Sequence, residues 1–484
     1  MDNRLYYGDN LDILRKHIES ESVDLIYLDP PFNSKADYNI LYKEPTGESS
    51  KAQITAFEDS WHWTEDAERT FQEIVHTAPA KVVDMMRAFR GFVGLNDMMA
   101  YLTMMCIRLI ELRRVLKETG SIYLHCDPTA SHYLKIMMDT VFGKKNFNNE
   151  IIWYYRRWSA ATNRFQRIHD VILFFSKGAS RKFNMLYEEY TIGTLKRWKG
   201  IKRRTTVLSD GTLSQEEDKE GVKGANMGDV WQISIINSQA KERLGYPTQK
   251  PEALLERIII ASSDPGDVVL DPFCGCGTSI AVSQKLRRTW IGIDITHLSI
   301  NLIKIRLSDM FKLKSKKDYL VIGEPEDIQG ARNLALSNRY QFQWWALSLI
   351  CARPFNEKKK GADTGIDGII YFSDETNKLK KAVVQIKSGH TSVKDIRDLG
   401  HVIEREKAEI GVFVTLDAPT KNMCSEAIVK GFYRSPTWNK DYPRIQILTI
   451  DDLFSGKQPN IPATIPSTKT AKRVSPEEQL GLDI

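Results

Sequence analysis

At 484 residues, 42% of them hydrophobic and 27% charged, the chain has the composition of a soluble globular protein and is too long for one ordinary core, so two or three domains are expected. No apolar run approaches the roughly 20 residues that span a bilayer, and residues 1–10 carry neither a basic nor an apolar leader, which predicts a cytoplasmic protein without membrane attachment. Six scattered cysteines exclude a disulfide framework, and the net charge of +6 is too modest to mark a partner by itself.

The chain opens with Tyr6-Tyr7-Gly8-Asp9-Asn10, and the apolar Leu11, Ile13, Leu14 and Ile18 that follow share one helical face. Residues 23–28 form an apolar run too short for a helix and bounded by Pro30-Pro31, which reads as a buried strand of a parallel sheet. Asp29-Pro30-Pro31-Phe32 stands at its end. In open α/β sheets ligands bind outside the carboxyl ends of strands, so this tetrad reads as a site; a strand-terminating turn is the plainer alternative. Residues 45–95 are expected to be an insertion covering that site. A helix from Met98 is expected to stop at Gly120, with Met98, Met99, Met104 and Met105 as core, and SIYLHCDP as the next strand. His125 and Asp127 at the tip of that strand are assigned a structural or site-lining role in preference to a catalytic one.

Between residues 151 and 209 there are 13 Lys and Arg against 3 Asp and Glu, a local excess of +10 that leaves −4 for the remainder. Trp153, Tyr154, Tyr155, Trp158, Phe165 and Trp198 are interleaved with this charge, a mixture suited to phosphate contact and base stacking, though a solvated face would also carry it. Residues 178–228 lose periodicity and are expected to form a loop-rich target-recognition region. A helix over Glu252–Ser262, a strand at 268–270, a glycine turn, a second helix and the strand WIGIDI then make a βαβ unit. Residues 311–329 are charged and punctuated by Gly and Pro, as a linker would be. A second domain over 330–455 follows, with a disordered tail expected over 456–484.

The turn Asp271 to Thr278, DPFCGCGT, lies between strand and helix, where glycines admit a ligand to the backbone and helix N–H groups face it. Asp294 ends the next strand at the spacing of a carboxylate that grips ribose hydroxyls; a helix N-cap is its alternative. The pattern is not GxGxxG, so an adenosine cofactor without a pyrophosphate is favoured over a dinucleotide. Cys274 and Cys276 have no second pair and read as small turn residues instead of metal ligands.

These motifs, in this order, resemble the S-adenosylmethionine-dependent DNA amino-methyltransferases of the β class, in which the catalytic tetrad precedes the recognition region and the glycine motif follows it. The resemblance covers residues 1 to about 305. It implies an α/β, Rossmann-like, doubly wound fold with circularly ordered motifs and an inserted recognition region, over residues 1–310. Asp29, Pro30, Pro31 and Phe32 would be catalytic. S-adenosyl-L-methionine would be held by Asp9, Thr248, Lys250, Asp271, Phe273, Gly275, Gly277, Thr278 and Asp294, with Gly8-Asp9 beside its adenine and Thr248 to Pro251 at its amino-acid end. An exocyclic amino nitrogen shares its lone pair with the ring; Asp29 and the Pro30 carbonyl would localise it, and Phe32 would stack on a base flipped from double-stranded DNA. Aspartate at the first position implies adenine N6 over cytosine N4.

In the second domain, Asp367 opens one strand of a hairpin, and Gln385 and Lys387 alternate onto one face of its partner. This resembles the Mrr-like branch of the PD-(D/E)xK nuclease fold, a second α/β domain, and implies Mg²⁺ bound by Asp367 and Gln385 with Lys387 activating water. Gln341 or Gln343 would supply a further ligand, the choice staying open. Together the expectation is a restriction-modification protein on one chain. The alternatives are a solitary methyltransferase whose nuclease-like domain only binds DNA, and a DNA-binding protein with a decayed transferase. Oligomeric state is open, a homodimer being one option.

Overall fold

The computed structural model describes residues 2–31, 62–156, 163, 165–190, 203–207, 213–217, 224–237, 240, 242–244, 246, 248–355, 365–375 and 378–462. In chain order the strands are β1 (Arg4–Tyr7), β2 (Val23–Leu28), β3 (Leu116–Cys126), β4 (Phe147–Tyr154), β5 (His169–Ser176), β6 (Tyr187–Glu188), β7 (Arg203–Val207), β8 (Leu213–Glu217), β9 (Ala225–Asn226), β10 (Val230–Gln232), β11 (Val268–Asp271), β12 (Thr289–Asp294), β13 (Leu320–Ile322), β14 (Arg353–Pro354), β15 (Gly368–Glu375), β16 (Lys378–Lys387), β17 (Ile410–Thr415), β18 (Phe432–Arg434), β19 (Asp441–Pro443) and β20 (Ile445–Thr449). Among the described residues, nine of them form one sheet in the order β10-β4-β5-β3-β2-β11-β12-β1-β13. Only β5 runs against its neighbours; every other adjacent pair is parallel.

Strand β2 is buried at all six positions because both faces of the sheet are covered, which is what its uninterrupted apolar run encodes. Ile26 and Leu28 pack towards the helix Asp97–Val115, and Leu25 and Tyr27 towards Glu252–Ser262. Asp97–Val115 is apolar nearly all round and correspondingly enclosed; the Asn96 side chain caps it, accepting from Met99 N at 3.1 Å. Each of its buried Leu and Met side chains contributes about 1.5–3 kcal/mol. The expected stop at Gly120 is incorrect: the helix ends at Val115 and Leu116 is already extended, paired with Val23. Gly120 lies inside β3, where a Cβ would stand 2.9 Å from the Asp24 carbonyl oxygen, so the glycine serves close strand approach.

Two further expectations change. The helices Glu65–Thr77 and Ala80–Val93 fall in the expected covering insertion, yet they bury Phe71, Ile74, Val82, Met86 and Phe89 in the main core. Residues 45–61 lie outside the described residues. The expected linker 311–329 contains β13, which pairs with β1 and makes the sheet edge, Arg4 opposite Leu320. Within the expected recognition region, β6 pairs with β9 and β7 with β8 as short antiparallel ribbons.

Residues 353–449 supply a second sheet, β14-β15-β16-β17-β20, with β15 and β16 as the expected hairpin and β16, β17 and β20 parallel. Alternation sends Ala382, Val384 and Ile386 towards the helix Arg339–Leu349 and Val383 towards Val393–Arg405. Most of the expected tail, 463–484, lies outside the described residues. No described helix is long and apolar enough to cross a membrane.

Gly323, just after β13, has φ +95°, and a Cβ there would lie 2.3 Å from the Tyr7 carbonyl oxygen. Gly323→Ala is therefore expected to destabilise the sheet edge by about 1–3 kcal/mol, read as a lowered thermal midpoint.

Candidate active site

Four neighbouring parallel strands, β2, β11, β12 and β1, end at the same edge of the sheet, and each delivers an acid there. Asp29 follows β2, Asp271 closes β11, Asp294 closes β12 opposite Tyr7, and Asp9 follows β1. Between them opens one cavity of about 700 Å³. Its lining includes Asp9, Asp29, Pro30, Pro31, Thr248, Lys250, Asp271, Phe273, Gly275, Thr278 and Asp294. Phe32 lies outside the described residues.

Asp29 is held from one side by the Lys250 ammonium, which bonds to Oδ2. Its Oδ1 is buried and meets no donor among the described residues. Behind it sits His125, wholly buried, with Nδ1 at 4.0 Å from Asp29 Oδ1 and 3.2 Å from the Tyr27 hydroxyl, and Nε2 at 3.2 Å from Asp170 Oδ2. Asp170 also accepts from the Tyr155 hydroxyl at 3.1 Å. Burial would raise the Asp170 pKa, but the bond and charge of His125 hold it below the usual carboxylate value, while burial beside Asp29 drives the Tyr27 hydroxyl well up. Asp127 caps the turn after β3, accepting from Thr129 N at 2.9 Å, and lines the cavity. The Tyr27–His125–Asp170 network went unread in the sequence, because its members lie on three strands brought together only by pairing.

The glycine turn is built as its composition requires. Gly275 and Gly277 have φ +50° and +73°, and a Cβ on Gly277 would stand 2.6 Å from Ile303 Cγ1. Asp271 Oδ1 accepts from Phe273 N at 3.0 Å and its Oδ2 from the Ser279 hydroxyl. Asp294 Oδ2 accepts from Gly275 N at 2.9 Å, and Oδ1 from both Thr296 N and Oγ1, each at 2.9 Å. The helix N-cap is thus Thr296, and Asp294 fixes the glycine turn. Arg306, buried in His297–Phe311, donates to the Cys276 carbonyl and Thr278 Oγ1 and pairs with Glu252, a brace no sequence motif announced. Asp9 caps Asn10–His17 and pairs with Arg108 at 2.7 Å.

Trp153, expected among base-stacking aromatics, is a buried strand residue at the cavity wall whose indole N–H donates to the Ile233 carbonyl at 2.8 Å. Trp158 and Trp198 lie outside the described residues. Phe165 is fully exposed, and Arg167 and Arg243 line the cavity.

A family model described as DNA methylase (N6_N4_Mtase) matches residues 23–304, more than half of the chain. The chain belongs to this DNA methylase family. Among its relatives, the methylase is 30% identical over 311 residues to the Type II methyltransferase M.HpaI of Haemophilus parainfluenzae, covering 64% of this chain and 76% of that one. It is 28% identical over 292 residues to the DNA adenine methyltransferase YhdJ of Escherichia coli (strain K12), covering 60% and 78%. A solved structure of the cytosine-N4-specific PvuII DNA methyltransferase aligns with TM-score 0.37 at 15% identity, covering 62% of this chain and 85% of that chain. Residues 347–455 match a second model, described as NACHT-associated inactive Restriction Endonuclease 1.

In that C-terminal region, Asp367 Oδ1 accepts from the Gln343 amide and Oδ2 from Ile386 N at 2.6 Å. Gln385 Oε1 is buried without a donor among the described residues. Of the two glutamines left open by the sequence, Gln343 is therefore the one at Asp367, while Gln341 accepts from His297 N at 2.8 Å. Among the described residues, one carboxylate with both oxygens engaged plus one neutral amide oxygen does not fit a tightly held Mg²⁺, which seeks near-octahedral oxygen ligation through one or two carboxylates and waters. Among the described residues, no group of three or more His, Cys, Asp or Glu could hold a metal ion.

Burial pushes Asp271 up to about 7 and Asp294 up to about 6 from an ordinary 3.8. The folded chain then holds protons that the unfolded chain releases, so stability from these groups falls as pH rises from about 4 to about 7. Asp271→Asn should accordingly raise the thermal midpoint by several degrees at pH 8, and the gain should vanish near pH 4; an equal gain at both pH values would contradict this.

Proposed function

We propose that the chain transfers a methyl group from S-adenosyl-L-methionine to adenine N6 of double-stranded DNA, as the modification activity of a restriction-modification system. The reading is carried by one observation: a single cavity is lined both by Asp29-Pro30-Pro31 and by the glycine turn from Asp271 to Thr278. Donor and acceptor can therefore meet in one cavity. S-adenosylmethionine, when bound, supplies the electrophilic methyl on a positively charged sulfur. The three acids on its side of the cavity, Asp9, Asp271 and Asp294, suit a cationic ligand with hydroxyls, and the glycine turn admits it to the backbone.

On the acceptor side, Asp29 is only 15% exposed at its side chain, so a base still stacked in a duplex cannot reach it and must be flipped out. Asp29 accepts one amino hydrogen of the flipped base and the Pro30 carbonyl the other, which turns the nitrogen lone pair out of the ring and towards the methyl. Methylated, the amino nitrogen would have one proton to give up. Asp29 is the base within reach. Lys250, bonded to Asp29 Oδ2, holds that carboxylate in place on the acceptor side of the cavity. Arg167 and Arg243 at the cavity bind phosphate on either side of the extruded nucleotide.

Asp29→Ala is expected to lower transfer of labelled methyl to duplex DNA by at least about 10³-fold while donor binding is retained. Digestion of the product to nucleosides should place the label on adenine N6; label on cytosine, or none on any DNA, would refute the reading.

For the C-terminal region we infer a nuclease-fold module that grips DNA without cutting it. The lack, among the described residues, of a second carboxylate beside Asp367 and the family description as inactive support this over Mg²⁺-dependent cleavage. Unmethylated DNA incubated with Mg²⁺ should remain intact, and Lys387→Ala should weaken DNA binding. Cleavage that disappears in Asp367→Ala would restore the nuclease.

A further inference from the structure

The C-terminal body is not merely tethered to the methylase; it abuts both walls of the donor side of the cavity. Helix Arg339–Leu349 lies against helix His297–Phe311, and one apolar cluster joins Phe342 and Trp345 to Leu298, Leu302, Cys276 of the glycine turn and Leu244. Leu244 belongs to the segment that carries Tyr246, Thr248 and Lys250 into the cavity. That segment is also tied down by polar contacts: Leu244 N donates to Gln249 at 2.8 Å, and Arg353, at the start of the second sheet, donates to the Leu244 carbonyl at 3.4 Å.

A continuous line of bonds runs across the junction. Gln341, 1% exposed, accepts from His297 N, one of the helix-start N–H groups that no intrahelical carbonyl can satisfy. The preceding residue, Thr296, binds Asp294 Oδ1 through both its N–H and its hydroxyl, and Asp294 Oδ2 takes Gly275 N. Moving the start of helix His297–Phe311 therefore moves Asp294, and with it the glycine turn. An unpaired N–H at a buried helix start is costly, so Gln341 fixes where that start sits.

We propose that Gln341 is a positioning residue for the methyl-donor site, and that the C-terminal body sets donor affinity through it. Coupling of this kind is reciprocal: whatever the C-terminal body does for donor binding, a bound donor does for the junction. Donor occupancy is thereby made legible to the nuclease-fold module, which gives a physical reason for carrying both on one chain. The inference rests on the cofactor reading above.

The test uses the full-length chain. Gln341→Met keeps the volume and removes the acceptor; Gln341→Glu keeps an acceptor, now charged, at a helix N-terminus that favours it. Gln341→Met should raise KM for S-adenosylmethionine about tenfold, with kcat at saturating donor and KM for DNA within about twofold of the parent, and Gln341→Glu should restore donor KM. A folded Gln341→Met with unchanged donor KM overturns the proposal. Independently of any variant, saturating S-adenosylhomocysteine should slow amide hydrogen exchange over residues 339–349 of the parent protein. Unchanged exchange there, with the cavity residues protected, also overturns it. Failure of the parent to bind either molecule would instead refute the cofactor reading.

Discussion

The parallel insertion of β11 between β2 and β12 is the constraint on which the rest depends. Leu270 lies opposite Ile26, Asp271 opposite Gly292, and Tyr7 opposite Asp294. These registers align the carboxyl ends of strands from opposite ends of the methylase region, so the Asp29 tetrad and the glycine turn share one cavity. The N-terminal strand β1 takes both its neighbours, β12 and β13, from the far end of the methylase region, so closing the site is a long-range event. A one-residue slip of β2 against β11 would send Tyr27 to the wrong face and withdraw Asp29 from the edge.

Gathering acids at one edge raises an electrostatic problem that the chain meets in two ways. Asp29 and Asp9 are each paired with a cation, Lys250 and Arg108. Asp271 and Asp294 receive only hydroxyl and backbone donors, and burial lifts them to about 7 and about 6. The division is between carboxylates whose charge a neighbouring cation compensates and carboxylates whose charged form burial disfavours.

The C-terminal body adds a third layer to this logic. Its Gln341 completes the helix start that orients Asp294, and its Asp367 is engaged by Gln343 and the Ile386 amide. Two glutamines on one helix, two residues apart, thus bond to different neighbours: Gln341 to the methylase helix start and Gln343 to Asp367 at the hairpin.

Much of this was legible in the sequence because it is local. The apolar run before Asp29 encodes a strand covered on both faces, the glycines of 271–278 encode positive φ, and the order of these motifs along the chain identified the family. Where local reading failed, a distant partner had decided. Gly120 looked like a helix stop and is a strand residue crowded by Asp24; residues 320–322 looked like linker and are the sheet edge beside β1. The sequence by itself determined the motifs and the strands and turns that hold them, since side-chain type and motif spacing are properties of the chain. Only the tertiary structure decided which of them touch: Lys250 on Asp29, His125 between Asp29 and Asp170, Gln341 on His297. Those contacts join strands and helices through register and packing, and neither is written in any one segment.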